Sequence, residues 1–354
     1  MMVSLTALIT SCNMGDNMFI ASGYSGDGAA DVLLCRLNGN GSVEKISEVT
    51  VGDNPSYFTS GRGGLVYLVN EVDTFDMKAG GGITTLRYDK KSKSLEKVSS
   101  MNQGGGGPCH IAVSVDGKYL ITANYGSGSV SVVKLNGEGI PEKVTDVIFY
   151  GEKSHPHMTI HNPRLHTYYV SDLGLDRVHQ LKLDTTLGLL MNADIAYFNC
   201  EPGSGPRHMA ISNSSTNLYV INELSSTASV YNILSDTVTA KQTVSALPDG
   251  YTEKSYCADI HLSRNGKKIF GSNRGHNSIV TFRVGVDGSL SESSHRDCGG
   301  KWPRNFAVSP SGKFFLVANQ RSDEISVISA GGDPEETLFS LPFKSPSCVR
   351  FLGR

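Results

Sequence analysis

The chain has 354 residues, 32 of them basic and 34 acidic, for a formal net charge of −2. With no basic run in it, that balance argues against nucleic acid or an anionic membrane surface as a partner. Its 39 glycines, and apolar runs rich in aromatic and β-branched residues, point away from helices and toward many strands joined by tight turns. A chain this long buries roughly three quarters of its unfolded surface, and all-β chains of this size commonly form one unit.

The first stretch, "MMVSLTALITSC", is apolar only briefly and has no basic residue before its apolar part, so it makes a poor secretory signal. "LITSC", ending at Cys12, nevertheless resembles a bacterial lipoprotein cleavage box. The expectation is a cytoplasmic protein, with an envelope protein anchored through Cys12 as the alternative. Residues 1–17 are set apart as a tail, and 18–354 as one domain. No run approaches the roughly 18–20 apolar residues of a membrane helix. The seven cysteines are scattered and form no C-x-x-C pair, which fits free thiols in a reducing compartment.

Three short strands are expected next, over Phe19–Tyr24, Asp31–Leu37 and Val43–Val51. From Asn54 onward a repeat takes over. "NPSYFTSGRGGLVYLVNE" returns as "GPCHIAVSVDGKYLITANY", "HPHMTIHNPRLHTYYVSDL", "GPRHMAISNSSTNLYVINEL", "YCADIHLSRNGKKIFGSNR" and "WPRNFAVSPSGKFFLVANQ", and the chain ends on a truncated "SPSCVRFLGR". The anchors Pro55, Pro108, Pro156, Pro206, Cys257, Pro303 and Pro346 lie 43 to 53 residues apart. Each repeat reads as a hairpin, then a third strand such as Ser129–Leu135 or Ser278–Val284, then a more polar fourth. Four strands per unit of this length predict an all-β, seven-bladed β-propeller. One C-terminal strand joining the three N-terminal strands would complete the last blade, closing the ring without a free edge. The glycine runs Met77–Gly82 and Asn102–Pro108 are expected to be loops, because neither has the G-K-[ST] ending of a phosphate cradle.

In a regular antiparallel hairpin, facing positions have a constant sum. A turn centred on Ser215 sets Arg207 opposite Glu223 and His208 opposite Asn222. The same rule sets His157 opposite Leu173, Arg274 opposite Ala258 and Arg304 opposite Gln320. All these positions lie at the open end of their hairpins, more than about 20 Å from the turn. The first strand of every propeller blade lines the central channel, so they should converge on one mouth of it. An Asn or Asp recurs just inside that end in six blades (Asn70, Asn124, Asp172, Asn222, Asn273 and Asn319), which marks it as part of the fold. The informative positions change from blade to blade. Beside the anchor stand Ser56, Cys109, His157, Arg207, Ala258, Arg304 and Ser347; after the Asn or Asp stand Glu71, Tyr125, Leu173, Glu223, Arg274 and Gln320. Charge gathers in blades three to six. Arginines there suit an anionic substrate, and a histidine and a glutamate beside them can move protons. His155, His157 and His161 share one face of a regular strand, but no carboxylate trio accompanies them, so no metal is expected; nor is any cofactor.

"HPH", "GPRH", "INEL", "ADIHLS", "SNRGHNSI" and "WPRNFAVSPSGKFFLVANQ", in that order, resemble the motifs of the bacterial propeller lactonase family. That family comprises 6-phosphogluconolactonases and the related 3-carboxy-cis,cis-muconate lactonising enzymes of fungi. The resemblance spans the chain from about Phe19 to its end. It implies that His157, Arg207, Glu223 and Arg274 are catalytic; Arg304, His208 and His155 beside them are the candidates for binding substrate. It also implies hydrolysis of 6-phospho-D-glucono-1,5-lactone to 6-phosphogluconate, a step of the oxidative pentose phosphate pathway, without cofactor or metal. The sequence departs from the pattern at Asn305, which follows "WPR" where "GPRH" has a histidine, and at "YCADIH", which lacks the anchor proline. Two alternatives stay open: a carboxymuconate-type lactonising cycloisomerase using the same four residues, and a non-catalytic binding propeller.

Overall fold

The computed structural model describes residues 17–24, 31–235, 237–331 and 336–352. Cys12 and the cleavage box around it lie outside the described residues. Within them, seven four-stranded antiparallel sheets form the blades of a β-propeller. Blade four is representative, with strands Pro206–Ile211, Asn217–Asn222, Thr227–Ile233 and Val238–Ser245 running from the axis outward. Blade seven takes its inner strand, Pro346–Phe351, from the C-terminus and its other three, Met18–Gly23, Val32–Leu37 and Val43–Val49, from the N-terminal region. Phe19 pairs with Phe351 and Ala21 with Val349, so the seam is an ordinary ladder. The expected closure is what forms. Both glycine runs are loops apart from a two-residue pairing of Thr74–Phe75 with Lys78–Ala79.

Burial explains the strand sequences. The second strands are closed in on both faces and read as continuous apolar runs; Leu65–Asn70 and Asn217–Asn222 are buried throughout. Fourth strands have one face in solvent and alternate, as in Leu189–Asn199. The hydrophobic core lies between blades as a series of clusters. Tyr219, Ile221 and Val230 of blade four pack with Ile260, Ile269 and Phe282 of blade five, for example. The cluster around Leu34, Phe58, Leu68 and Leu120 joins blades seven, one and two. In the hairpin turns, Gly117, Gly266 and Gly312 take φ near +70°, and each donates its amide back to the serine that opens the turn.

The recurrent Asn and Asp positions are fully buried and tie strands to loops. Asn222 donates to the hydroxyls of Thr227 and Ser229, Asn273 to Ala246 O, and Asn319 to Cys298 O. Asp172 accepts the amides of His155 and Leu175. The six described cysteines are free and buried.

The register of blade four runs one residue off the constant-sum expectation along the whole hairpin, His208 facing Ile221 and Met209 facing Val220, and it steps once more beside the anchor. Pro206 pairs with Asn222, and the next pair is His208 with Ile221, which leaves Arg207 without a backbone partner. Glu223 faces Gly205, whose carbonyl accepts its amide. A β-bulge therefore sits on the residue beside the anchor, and it recurs at Cys109, His157 and Arg304. Blade seven skips Ser347 in the same way, and blade five shifts between Cys257 and Ile260. Arg274 consequently pairs with Tyr256 and not with Ala258. Neither Leu173 nor Gln320 faces its expected partner; their amides bond to His155 O and Trp302 O. A bulge inserts one residue and re-aims its side chain. Here the residue re-aimed is the one that varies from blade to blade.

Candidate active site

The first strands of neighbouring blades pack against one another around the axis, and the positions beside the anchors, on a register shift in six blades and just ahead of the strand Tyr57–Ser60 in blade one, meet near a common centre. Ser56, Cys109, His157, Arg207, Arg304 and Ser347 all line a small axial cavity of about 10 Å³, together with Glu71 and His208. That is room for about one water molecule. The seventh of these positions, Ala258, contributes its carbonyl, which accepts from Arg207 Nη1.

Arg207 also belongs to a charged cluster. Glu223 Oε2 is 2.8 Å from Arg207 Nε and 2.8 Å from Arg274 Nη2. Both guanidiniums are almost wholly buried, whereas the Glu223 side chain is 18% exposed. Arg274 Nη2 also donates to Cys257 O at 3.0 Å. Burial pushes the Glu223 carboxyl up, but Arg207, Arg274 and Arg304 together outweigh it and hold the group below the ordinary carboxylate range. Arg274 is pulled the other way: burial and the nearby Arg207 lower it to about 10 despite Glu223. Its guanidinium carbon lies 5.5 Å from the centre of the Trp302 ring, and that of Arg321 3.3 Å. Trp302 has φ +68° in the position where blades two and four have Gly107 and Gly205. A bulky residue held there carries strain of order 1 kcal/mol or more, offset by the two cation–π contacts.

Arg304 enters from blade six. Its Nη2 donates to Tyr24 Oη at 2.6 Å, and Tyr24 Oη donates to Glu71 Oε2 at 2.7 Å. Tyr24 and Glu71 bring blades seven and one into the site, which the sequence reading had confined to blades three to six. Tyr24 was missed because it belongs to the split blade and no repeat motif contains it.

His157 is 5% exposed, and its Nδ1 has no hydrogen-bond partner among the described residues. Burial, then Arg207, His208 and Arg304, hold it well below the usual imidazole range, so it is neutral. His155 stacks on Tyr125 at 4.4 Å and shares a hydrogen bond with Tyr125 O. His161 lies against Tyr168 and His166 near the turn. The bulge thus separates the three histidines that a regular strand would align. No cluster of three metal-ligating side chains occurs among the described residues.

His208 lies one residue deeper than Arg207. Its Nδ1 is 2.7 Å from Oδ1 of the buried Asp259, whose Oδ2 is 2.8 Å from His261 Nε2 and also accepts from Asn305 Nδ2. Asp259 was overlooked as a site residue although it stands in "ADIHLS". Its signal would have been a lone carboxylate two residues inside the Cys257 anchor. Asn305, the departure from "GPRH", holds that carboxylate. His110, Tyr57 and His208 form a ring cluster with centroids 4.4 to 6.0 Å apart.

A larger hollow of about 870 Å³ opens at the other, turn-side mouth, lined by His261, Arg264, Lys268 and Arg350 among others. It contains no carboxylate beside its cations, so proton-moving chemistry points to the opposite end.

Burial keeps His110, His157 and His208 neutral in the fold, with His208 lowered to about 4. An unfolded chain takes up those protons near pH 6.5, so stability is full above that value and falls as pH drops toward 4. Denaturant melts between pH 7 and 5 are expected to show ΔG falling by up to about 4 kcal/mol per pH unit near the steepest point. His110→Gln should remove about one proton from that slope; an unchanged slope would contradict the neutral cluster.

The family model described as "Lactonase, 7-bladed beta-propeller" matches residues 18–351. A 6-phosphogluconolactonase of Bacillus subtilis is 30% identical over 317 residues, covering 84% of this chain and 87% of that protein. A 6-phosphogluconolactonase of Formosa agariphila is 32% identical, covering 81% and 84%. Among solved structures, the periplasmic gluconolactonase of Pseudomonas aeruginosa superposes with a TM-score of 0.86 at 30% identity, covering 94% of this chain and 98% of that one. With its closed ring of seven blades and a family match that runs from the first described strand to the last, the chain belongs to the seven-bladed β-propeller lactonase family.

Proposed function

We propose that the protein hydrolyses a sugar lactone at the Arg207–Glu223–Arg274 mouth, with 6-phospho-D-glucono-1,5-lactone as the substrate. One observation carries this reading: a carboxylate clamped by two guanidiniums stands over a polar cavity the size of one water. A lactone carbonyl set against Arg207 would have its developing oxyanion met by a buried cation, with the attacking water beneath it. Arg207, Arg274 and Arg304 carry three positive charges against two negative charges on Glu223 and Glu71. The excess suits an anionic substrate. Glu223, held anionic by its two partners, acts by fixing both guanidiniums; His157, neutral and buried, lines the cavity beside Arg207. His155, with Tyr125, forms a stacked rim for the sugar. We place the protein in the cytoplasm; among the described residues no helix is long and apolar enough to cross a membrane.

A second reading is favoured by one feature of the same site. Each of the three guanidiniums already has a partner, so an unphosphorylated glucono-lactone would bind without competing for them. Initial rates on the phosphorylated lactone, glucono-1,5-lactone and 3-carboxy-cis,cis-muconate separate these readings. The phosphorylated lactone is expected to give the highest kcat/KM, by about tenfold or more, with no cyclisation of the muconate. Preference for glucono-1,5-lactone would establish the second reading, and lactonisation of the muconate would make the protein a cycloisomerase. No turnover of any would leave a binding propeller.

A further inference from the structure

We propose that His208 is the general base of lactone hydrolysis, and that Asp259 and His261 are positioning residues which fix and polarise it from the neighbouring blade. This rests on the lactonase reading above and deepens it.

The other two candidates are poorly suited. Glu223 has Oε2 held by two guanidiniums at 2.8 Å each, and Arg207, Arg274 and Arg304 keep its carboxyl below the ordinary range against the effect of burial, which makes it a weak base. His157 stacks edge-on with the rings of Tyr125 and His208 at 5.7 and 5.3 Å, and no carboxylate is bonded to it among the described residues. His208 has such a partner. Asp259 is 3% exposed and is held by His261, Asn305 and the amide of Ile260. Although burial raises its pKa, the bonds from His261 and His208 prevail and keep it well below the ordinary range. An ionised carboxylate only accepts, so His208 Nδ1 carries the proton and Nε2 keeps its lone pair. Nε2 is buried without a hydrogen-bond partner among the described residues, and His208 lines the one-water cavity. Nucleophile-side base, orienting carboxylate and a cation for the oxyanion are the elements that acyl-transfer sites require.

The step balances without a co-reactant. Water in the cavity attacks the lactone carbonyl carbon while one of its protons passes to His208 Nε2. The new C–O bond forms as the carbonyl becomes an oxyanion facing Arg207. Collapse breaks the bond from that carbon to the ring oxygen, which takes the proton back. The product is an open-chain hydroxy acid, and its carboxyl ionises to release one proton to solvent.

His208 is surrounded by Arg207 on its own strand, Asp259 of blade five, His157 of blade three, His110 of blade two and Tyr57 of blade one. Arg350 of blade seven lies behind Tyr57, donating to its hydroxyl at 3.1 Å. Burial and Arg207 lower His208 to about 4 against the pull of Asp259, so its base form is present throughout neutral pH. His261 also lowers it and is 33% exposed at the turn-side hollow.

The test is the pH profile of kcat/KM for the phosphorylated lactone, measured on wild type, H208Q, D259N and H261L with their thermal melts. Wild type is expected to show an acid limb near pH 4. H208Q should lose at least about a hundredfold in kcat with KM little changed, and D259N about a thousandfold. The acid limb should move to lower pH in D259N, which loses the carboxylate that raises His208, and to higher pH in H261L, whose loss in kcat should be smaller than that of D259N because Asn305 still holds Asp259. A purely structural role for these residues would move melts but not limbs. A folded H208Q with more than a tenth of the wild-type kcat overturns the proposal while leaving the lactonase intact. So does an unmoved limb in H261L, which decides the matter if H208Q fails to fold. A wild type that hydrolyses no lactone overturns both.

Discussion

Arg207→Lys is expected to lower kcat/KM for the lactone by about 10²–10³-fold while leaving the melting transition within a few degrees of wild type. The conservative charge is retained, so Glu223 keeps a cation on that side. What is lost is the fork. Arg207 reaches Glu223 with Nε and the carbonyl of Ala258 with Nη1 while also lining the one-water cavity, and a single ammonium on a flexible stem cannot hold those directions together. Because the residue sits on a bulge, its side chain is aimed by the backbone of Pro206 and His208, and that aim is kept in the variant. Steady-state kinetics beside a thermal melt separates the two effects. A variant with near-normal kcat/KM would remove Arg207 from the chemistry.

Glu223→Gln is expected to do damage of a different kind. It removes the one negative charge between two guanidiniums that are 3% and 6% exposed. Leaving buried charges uncompensated costs about 3–5 kcal/mol in closed interiors; the partial exposure of Glu223 reduces this to about 2–4 kcal/mol. Activity should fall as well, about a hundredfold, since both cations are freed to reorient. Arg274 supplies a signature. Its side chain already titrates near 10, and Glu223 is what raises it. In the variant the alkaline limb of the rate profile should therefore move to lower pH. Denaturant melts and rates between pH 7 and 10 would show both changes. A variant as stable as wild type, with an unmoved alkaline limb, would mean that the pair is a solvated rim contact.

The fold was legible because the repeat carries it. Seven anchors at near-constant spacing, with a buried Asn or Asp closing six of the hairpins, leave little freedom once the truncated last copy needs three partners from the N-terminal strands. The convergence of the candidate residues was legible, and their register less so. His157, Arg207, Glu223, Arg274 and Arg304 do converge on one mouth, and Arg207 does meet Glu223. They meet, however, across a bulge and not across a regular ladder. The constant-sum rule has no term for an inserted residue, and nothing in "GPRH" distinguishes an arginine on a bulge from one in register. The same bulge separates His155, His157 and His161. Tyr24 and Glu71 were out of reach for another reason, since their proximity to Arg304 is created by ring closure. Asp259 could have been found, because a charge between Ala258 and Ile260 on a strand facing the channel needs partners. The sequence does not say which histidines supply them.

The most direct test of the account is the hydrolysis of 6-phospho-D-glucono-1,5-lactone by purified wild type and Arg207→Lys protein at neutral pH, read above the spontaneous rate. The account predicts rapid turnover by wild type and a loss of about a hundredfold or more in a variant that melts normally. Equal rates for the two proteins, or no turnover by either, would contradict it.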